Sequence, residues 1–152
     1  MPANFVILEH LLEIYPDLKY IHVIRNGFDM AYSNNRNQLY NWGMYYGVDA
    51  KKENVRKAAF DYWYVANKKA IAQGVDLLKD NFMLLKLEDL CHNPNANISK
   101  LLRFINCEDT NILKLKKLIK SPTTFGRYKG EDLSVFENDD YLKLHEIGYS
   151  IE

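Results

Sequence analysis

The sequence predicts a helix-rich α/β domain with a small parallel sheet flanked by helices. Two short runs rich in leucine, β-branched and aromatic residues, at residues 19–24 and 82–87, lack the alternation of a half-exposed strand. This favours strands that are covered on both faces, as in a parallel sheet. Amphipathic helical patterns precede, separate and follow the two runs. The length of 152 residues is ordinary for one domain, so residues 1–152 are expected to form a single domain.

The first elements surround the first strand. Apolar residues recur at helical spacing from Phe5 to Tyr15 and a proline follows, which predicts a short amphipathic helix before the strand. After the strand, Asn26 is expected to cap a helix that runs past Ser33. Asp29 lies three residues after Asn26, at the position from which its carboxylate would return a bond to the Asn26 N–H.

The middle of the chain contains the longest predicted helix. Residues 41–49 combine two glycines with several aromatic residues, which predicts an ordered loop. From residue 53 to residue 73 one apolar stripe predicts a long helix that buries Trp63. Gly74 is expected to interrupt this helix before the second strand.

Short helices follow the second strand, which is expected to end in the turn Glu88-Asp89-Leu90. Pro94 opens a helix that reaches Ile105, because apolar residues recur at helical spacing between them. The same pattern predicts another short helix at residues 112–119. The chain is then irregular, and a last helical turn is expected at residues 141–147.

Charge and composition argue against several classes of function. Twenty Lys and Arg balance twenty Asp and Glu, giving formal net charge +0, so the bulk attraction needed for nonspecific nucleic-acid or membrane-surface binding is missing. No apolar run approaches the ~20 residues that span a bilayer, and no leader segment is indicated, so a cytoplasmic location is expected. Cys91 and Cys107 lack metal-ligand spacing, which predicts reduced thiols and no metal site.

The stretch that carries chemistry joins the first strand to the next helix. An arginine at the carboxyl end of a parallel strand, here Arg25, points into the crevice where open α/β sheets bind ligands. The N–H groups of the following helix would face that crevice and favour a phosphate, and Ser33, about two turns into the helix, would add a hydroxyl donor. Alternatively, Arg25 pairs with Asp29 or Glu88. The other interpretation of Ser33 is a bond to its own helix backbone.

This stretch resembles the 3′-phosphate-binding segment of the sulfotransferases, which use 3′-phosphoadenosine 5′-phosphosulfate (PAPS). The shared pattern is Pro-Asp-x-Lys, an apolar run, Arg-Asn-x-x-Asp, three residues and Ser. In that family the arginine and the serine eight residues later hold the 3′-phosphate of the nucleotide, and Arg25 and Ser33 have this spacing. The resemblance therefore implies that both residues bind the co-substrate.

Later segments resemble the same family in the same order. Residues 85–90, the following Asn-Pro and the helix ending near Phe104 are similar to the family's strand, acidic-leucine turn and helix. Residues 126–129 and 147–149 look like the closing segments of bacterial and carbohydrate-type sulfotransferases. This implies that Arg127 and Lys129 approach the nucleotide phosphate, although an exposed Arg-x-Lys in a loop is more often only solvated.

The resemblance implies a partial P-loop-NTPase-like fold and sulfuryl transfer from PAPS to a hydroxyl or amine acceptor, a carbohydrate or a small molecule. Gly27 stands where the family often has proline, which changes the stiffness of the turn. The chain contains no lysine-bearing, glycine- and threonine-containing loop for the 5′-phosphosulfate. We therefore expect a domain that is incomplete on its N-terminal side and catalytically incomplete, and we assign it no catalytic residue.

Two further interpretations remain open from the sequence. The chain could be a noncatalytic interaction module, in which the strand at residues 19–24 pairs with another chain and gives a homo-oligomer. The aromatic residues around Trp42 lie where members of the family shape their acceptor pocket, which makes them candidates for contact with a substrate. The four scattered histidines are expected to be structural.

Overall fold

The computed structural model describes residues 4–51, 54–107 and 111–150. The chain folds into two compact units, each built from two separate stretches. The first unit takes the described residues of Ala3–Arg25 and Ile71–Phe125, and the second those of Asn26–Ala70 and Gly126–Glu152. The prediction that residues 1–152 form one domain stays a prediction.

The predicted helices occur in the predicted order. In the described stretches the helices are α1 (Leu8–Ile14), α2 (Gly27–Ala31), α3 (Asn37–Trp42), α4 (Val55–Leu78), α5 (Leu87–His92), α6 (Pro94–Phe104), α7 (Ile112–Lys116) and α8 (Asn138–Glu146). Of these, α3 and α5 are present in addition to the predicted helices. Short 3₁₀ turns lie at Asn4–Ile7, Met44–Tyr46, Lys79–Asn81 and Arg127–Gly130. None of the helices in these stretches is both long and apolar enough to cross a membrane.

The sheet of the first unit confirms the α/β class. Strands β1 (Tyr20–Ile24) and β2 (Phe82–Lys86) pair in parallel, with Tyr20 opposite Phe82, and among the described residues the sheet has these two strands. The two rings stack with centroids 6.3 Å apart. β2 buries alternate side chains, whereas the side chain of Val23 in β1 is 53% exposed. The expected coverage of both faces of β1 is therefore wrong at Val23.

Gly74 does not interrupt α4, contrary to the sequence prediction. The helix continues through it to Leu78. A Cβ built on Gly74 would lie 2.3 Å from the ring of Phe82, much closer than side chains approach one another. The glycine therefore allows the last turns of α4 to pack against β2. This packing offsets the low helix propensity of glycine. Residue 53, where the helix was expected to start, lies outside the described residues.

Other predicted boundaries change by a few residues. Regular structure appears at α3 and Met44–Tyr46, where the glycines had predicted an irregular loop. The expected turn after β2 is the short helix α5. α6 and α7 confirm the two predicted helices, although α7 ends at Lys116 rather than at residue 119. The exact ends of these short helices depend on tertiary packing, which the local sequence pattern does not reveal.

The core of the second unit is aromatic. Phe28 is fully buried, and the centroid of its ring lies 4.3 Å from that of Phe136 and 5.1 Å from that of Phe60. Such offset and tilted ring pairs add about 0.5–1.5 kcal/mol each beyond the area they bury. Trp63 is buried as predicted. This cluster fixes α2 and the segments that pack on it within the second unit.

The predicted last helical turn is a full helix with a specified start. At the N-terminus of α8, the Glu137 side chain accepts a bond from the backbone of Asp140, and the Asp140 carboxylate accepts one from the Glu137 N–H at 3.0 Å. Asp140 is 1% exposed and lies 3.0 Å from the Lys57 ammonium. The carboxylates around Lys57, which belong to Asp61 and Asp140, hold its pKa above the usual value although burial acts against them.

Candidate functional site

Arg25 lies directly after β1, at the carboxyl end of the parallel pair, as the sequence predicts. Its Nη2 atom donates a hydrogen bond to Thr124 Oγ1 at 2.9 Å. The guanidinium carbon lies 5.3 Å from the centroid of the Phe125 ring. The hydroxyl and the ring orient a half-buried guanidinium, and this kind of planar fork suits a phosphate or a carboxylate.

Thr124 and Phe125 were not predicted as parts of the site. They follow Pro122 in an irregular stretch, and Thr124 lies 99 residues after Arg25, so no local pattern connects them with β1. The Phe125 ring also lies near His92, with centroids 6.3 Å apart. A contact of this sequence separation is visible only in the folded unit.

The turn after Arg25 confirms one prediction and corrects another. In the second unit, Asn26 Oδ1 accepts bonds from the N–H groups of Phe28 at 2.9 Å and Asp29 at 3.4 Å, so Asn26 is the helix cap. These two N–H groups were expected to face a phosphate. They are instead committed to the cap, because an Asn side chain satisfies the free donors of a helix N-terminus.

Ser33 lies beyond the helix, so the prediction that it sits two turns inside is wrong. α2 ends at Ala31, after five residues. Ser33 Oγ accepts a bond from the Asn35 N–H at 3.3 Å, and Asn35 Oδ1 accepts one from the Asn37 N–H at 3.1 Å. Such side-chain bonds compete with helix formation and end the helix early. The Ser33 hydroxyl still has a hydrogen to donate.

Asp29 connects the two stretches of the second unit. Its side chain is 2% exposed. One carboxylate oxygen accepts a bond from the Gly126 N–H at 2.9 Å and the other from the Tyr128 N–H at 3.3 Å. The sequence had predicted a bond back to the Asn26 N–H. The carboxylate instead holds the loop that carries Arg127. In this loop Gly126 adopts a left-handed φ of 69°, which favours glycine.

Arg127 and Lys129 were both predicted to approach a phosphate. In the structure their side chains have different surroundings. Arg127 Nη1 donates a hydrogen bond to the carbonyl oxygen of Tyr32 at 3.2 Å, which brings it to the segment that carries Ser33. Lys129 is exposed, and its aliphatic chain runs beside Gly126. Arg127 is therefore positioned by the fold.

Tyr32 precedes Ser33 and contacts several residues of the second unit, and no pattern in the sequence marked it as part of the site. Its hydroxyl donates to the carbonyl oxygen of Asp132. The Arg56 guanidinium stacks over its ring at 4.5 Å and also lies 3.5 Å from Glu131. Burial raises the pKa of the Tyr32 phenol, and the charge of Arg56 partly opposes this rise. The Tyr32 phenol therefore stays neutral and donates its hydrogen bond, while the Arg56 guanidinium lies over the face of its ring.

The predicted substrate-contacting aromatics form a chain of rings in the second unit. Trp42 packs edge-on against Tyr45 at 6.3 Å, and Tyr45 is 55% exposed. The Lys69 ammonium lies 5.2 Å from the centroid of the Tyr45 ring. The exposed end of this chain of rings offers an aromatic face beside a positive charge.

The first 111 residues identify the family. Residues 1–111 match the model of the sulfotransferase family, and this match includes Arg25 and Ser33 but not Arg127 or Lys129. No curated protein and no solved structure matches the chain. A match over most of the chain, which covers the strand with Arg25 at its end, agrees with the resemblance found in the sequence. The chain belongs to the sulfotransferase family.

Proposed function

We propose that this chain binds the 3′-phosphate of PAPS through Arg25 and Ser33, for sulfuryl transfer to a hydroxyl or amine acceptor. The observation that carries the proposal is the position of Arg25 at the carboxyl end of β1, within the part of the chain that matches the family. Ligands of open α/β sheets bind outside the carboxyl ends of the strands. The spacing of eight residues between Arg25 and Ser33 is the second support.

The environment of Arg25 supports binding of an oxyanion. The bond to Thr124 and the stacking on Phe125 reduce the rotational freedom that the guanidinium would lose when it binds. Bonds between a guanidinium and a phosphate are charge-assisted and bidentate, so they are stronger than neutral hydrogen bonds. A lysine would supply the charge but not the planar fork.

The other predicted residues would support the same ligand. Ser33 would donate its hydroxyl hydrogen to a phosphate oxygen, and Arg127 would add positive charge near the segment that carries Ser33. Lys129 would act only through its charge, because its side chain is exposed.

These groups would supply affinity and positioning, since the 3′-phosphate of PAPS is remote from the sulfur that is transferred. Sulfuryl transfer also needs a base for the acceptor and cations near the leaving phosphate. We assign neither role to the residues named here. The acceptor that we propose is a carbohydrate or a small molecule.

The test is calorimetric titration with 3′-phosphoadenosine 5′-phosphate (PAP), the product form of the co-substrate. Adenosine 5′-phosphate, which lacks the 3′-phosphate, is the ligand control. We expect Arg25→Ala to weaken PAP binding at least about tenfold, because a hydrogen bond to a charged group contributes about 1.5–3 kcal/mol. Arg103→Ala, which removes an exposed arginine in α6, should bind PAP like the wild type. Equal affinity of the folded wild type for both nucleotides would refute the proposal.

A second candidate function is a noncatalytic module that associates through its sheet. The exposed side chain of Val23 in β1 favours it, since an apolar residue at the middle of a strand gains from being covered. Sedimentation equilibrium of the wild type and of Val23→Lys separates the two candidates. A dimer that dissociates in Val23→Lys, together with no PAP binding, would favour the module.

A further inference from the structure

Residues 112–120, which comprise α7 and the turns after it, have an unusual composition, and we call them the lysine-leucine segment. The segment consists of five aliphatic residues and four lysines and contains no other residue type. It lies beyond the stretch that matches the sulfotransferase family, and the proposed function uses none of its residues. Short segments that combine aliphatic and cationic side chains in this way are typical of contacts with membrane surfaces.

The lysine-leucine segment is held on the first unit through some of its aliphatic residues. α7 packs against α6, and Asn111 caps its start by accepting the N–H of Lys114 at 3.1 Å. Beyond α7, the N–H of Leu118 donates to the carbonyl oxygen of Leu115 at 2.9 Å, so the turn is ordered. The half-buried aliphatic residues are Ile112, Leu115 and Ile119. The segment is therefore a fixed part of the surface of this unit.

Two leucines of the segment remain in contact with solvent. Leu113 is 70% exposed and Leu118 is 72% exposed. A single exposed leucine is ordinary on a protein surface, but two within nine residues form an apolar feature that gains free energy when it is covered. A partner for this surface must therefore offer an apolar environment.

The lysines give the same segment a local positive charge. All four are exposed, and among residues 4–51, 54–107 and 111–150 none of them takes part in an ion pair. Residues 100–121 contain six basic and two acidic residues, a net charge of +4, whereas the whole chain has +0. The zero net charge excludes bulk attraction to an anionic surface. Attraction within a Debye length of about 10 Å depends on the local charge instead.

We propose that the lysine-leucine segment docks on the surface of a membrane that contains anionic phospholipids. The lysine ammonium groups would lie among the headgroups, while Leu113 and Leu118 enter the boundary between headgroups and acyl chains. The long aliphatic stems of the lysines allow these two depths at once. A soluble polyanion would match the lysines but would leave both leucines in water, so the leucines favour the membrane.

The experiment measures co-sedimentation of the full chain with two kinds of vesicle at constant ionic strength. One kind contains phosphatidylcholine alone, and the other contains phosphatidylcholine with phosphatidylserine. The lysine variant, Lys116→Gln with Lys117→Gln, removes two of the charges. The leucine variant, Leu113→Ser with Leu118→Ser, removes both exposed aliphatic side chains. Heparin, a soluble polyanion, is titrated in parallel.

Matched control variants change the same residue types elsewhere on the surface. Lys51→Gln with Lys79→Gln removes two other exposed charges. Leu142→Ser removes a leucine that is 69% exposed in α8. Thermal unfolding of every variant separates loss of binding from loss of fold, and the single substitutions replace a double variant that does not fold.

We expect the wild type to bind vesicles with phosphatidylserine much more tightly than vesicles of phosphatidylcholine alone. The lysine variant should bind the anionic vesicles about fivefold more weakly for each charge removed. The leucine variant should bind them on the order of tenfold more weakly, because it loses the apolar contact with the acyl chains. Both controls should bind like the wild type.

Several outcomes would overturn the inference. Docking needs both kinds of side chain, so wild-type binding of anionic vesicles by either the lysine or the leucine variant would refute it. Binding of heparin by the wild type without binding of vesicles would assign the lysines to a soluble polyanion instead. Titration with PAP keeps the proposed function separate, since neither variant should change PAP affinity and either activity can be absent without the other.

Discussion

The carboxylate of Asp29, at the buried start of α2, accepts a hydrogen bond from the backbone N–H of Gly126 at 2.9 Å. A second bond, from the Tyr128 N–H, fixes the residues on both sides of Arg127. Without the Asp29 carboxylate, these two backbone N–H groups would need water as their hydrogen-bond acceptor. Asp29 therefore holds the backbone on both sides of Arg127.

We expect Asp29→Asn to lower the free energy of unfolding by about 2 kcal/mol, since the amide removes the charge and turns an NH₂ group toward a backbone N–H. Urea denaturation followed by circular dichroism measures this. Asp76→Asn, which changes an exposed carboxylate in α4, should stay within about 0.5 kcal/mol of the wild type. Equal stability of the two variants would show that the bonds of Asp29 contribute little.

A further prediction concerns Gly74. Alanine at this position would gain about 1 kcal/mol of helix propensity, but its Cβ would meet the Phe82 ring at 2.3 Å. Overpacking costs about 1–3 kcal/mol, and a contact this short should cost an amount near the upper end of that range. After the gain in helix propensity is subtracted, we expect Gly74→Ala to be less stable than the wild type by about 1–2 kcal/mol. Gly130→Ala, which adds a Cβ in open space, is the matched control. A Gly74→Ala variant more stable than the wild type would contradict the packing of α4 on β2.

Thr124 tests whether the orientation of Arg25 matters for binding. Thr124→Val keeps the shape of the side chain and removes the hydroxyl that accepts from Arg25. We expect its affinity for PAP to fall about fivefold, which corresponds to about 1 kcal/mol. Thr123→Val changes the exposed neighbouring threonine and should leave the affinity unchanged. The same affinity in both variants would mean that Arg25 is oriented without Thr124.

The ionisation of Tyr46 gives a prediction for alkaline pH. Burial raises the pKa of its phenol from 10.0 to about 12, with smaller contributions from Tyr62 and Tyr45. The folded state therefore holds this proton more tightly than the unfolded state. The resulting stabilisation is complete below pH 10 and is lost as the pH rises to about 12.

Two measurements check this prediction. Titration of phenolate absorbance should show a late component near pH 12 that disappears in Tyr46→Phe and persists in Tyr40→Phe, which changes an exposed tyrosine. The free energy of unfolding should also fall less steeply above pH 10 in Tyr46→Phe than in the wild type. A late component that survives in Tyr46→Phe would assign it to another residue.

Local patterns predicted most of the elements but few of their ends. The runs that became β1 and β2 and the stripe that became α4 were predictable, because burial of one face imposes a repeating pattern on neighbouring residues. The end of α2 was not. Ser33 and Asn35 form side-chain bonds that stop the helix, and whether such residues stay in a helix or leave it depends on what surrounds them.

The sequence by itself determined the α/β class, the position of Arg25 after a strand, and the resemblance that the family match supports. It could do so because these features lie in contiguous segments, where spacing along the chain reflects geometry. Only the tertiary structure decided that Thr124 orients Arg25, that Asp29 holds the loop around Arg127, and that Gly74 makes room for Phe82. The first two contacts join residues nearly a hundred positions apart, and the third depends on how a helix packs against a strand, so neither kind leaves a local pattern.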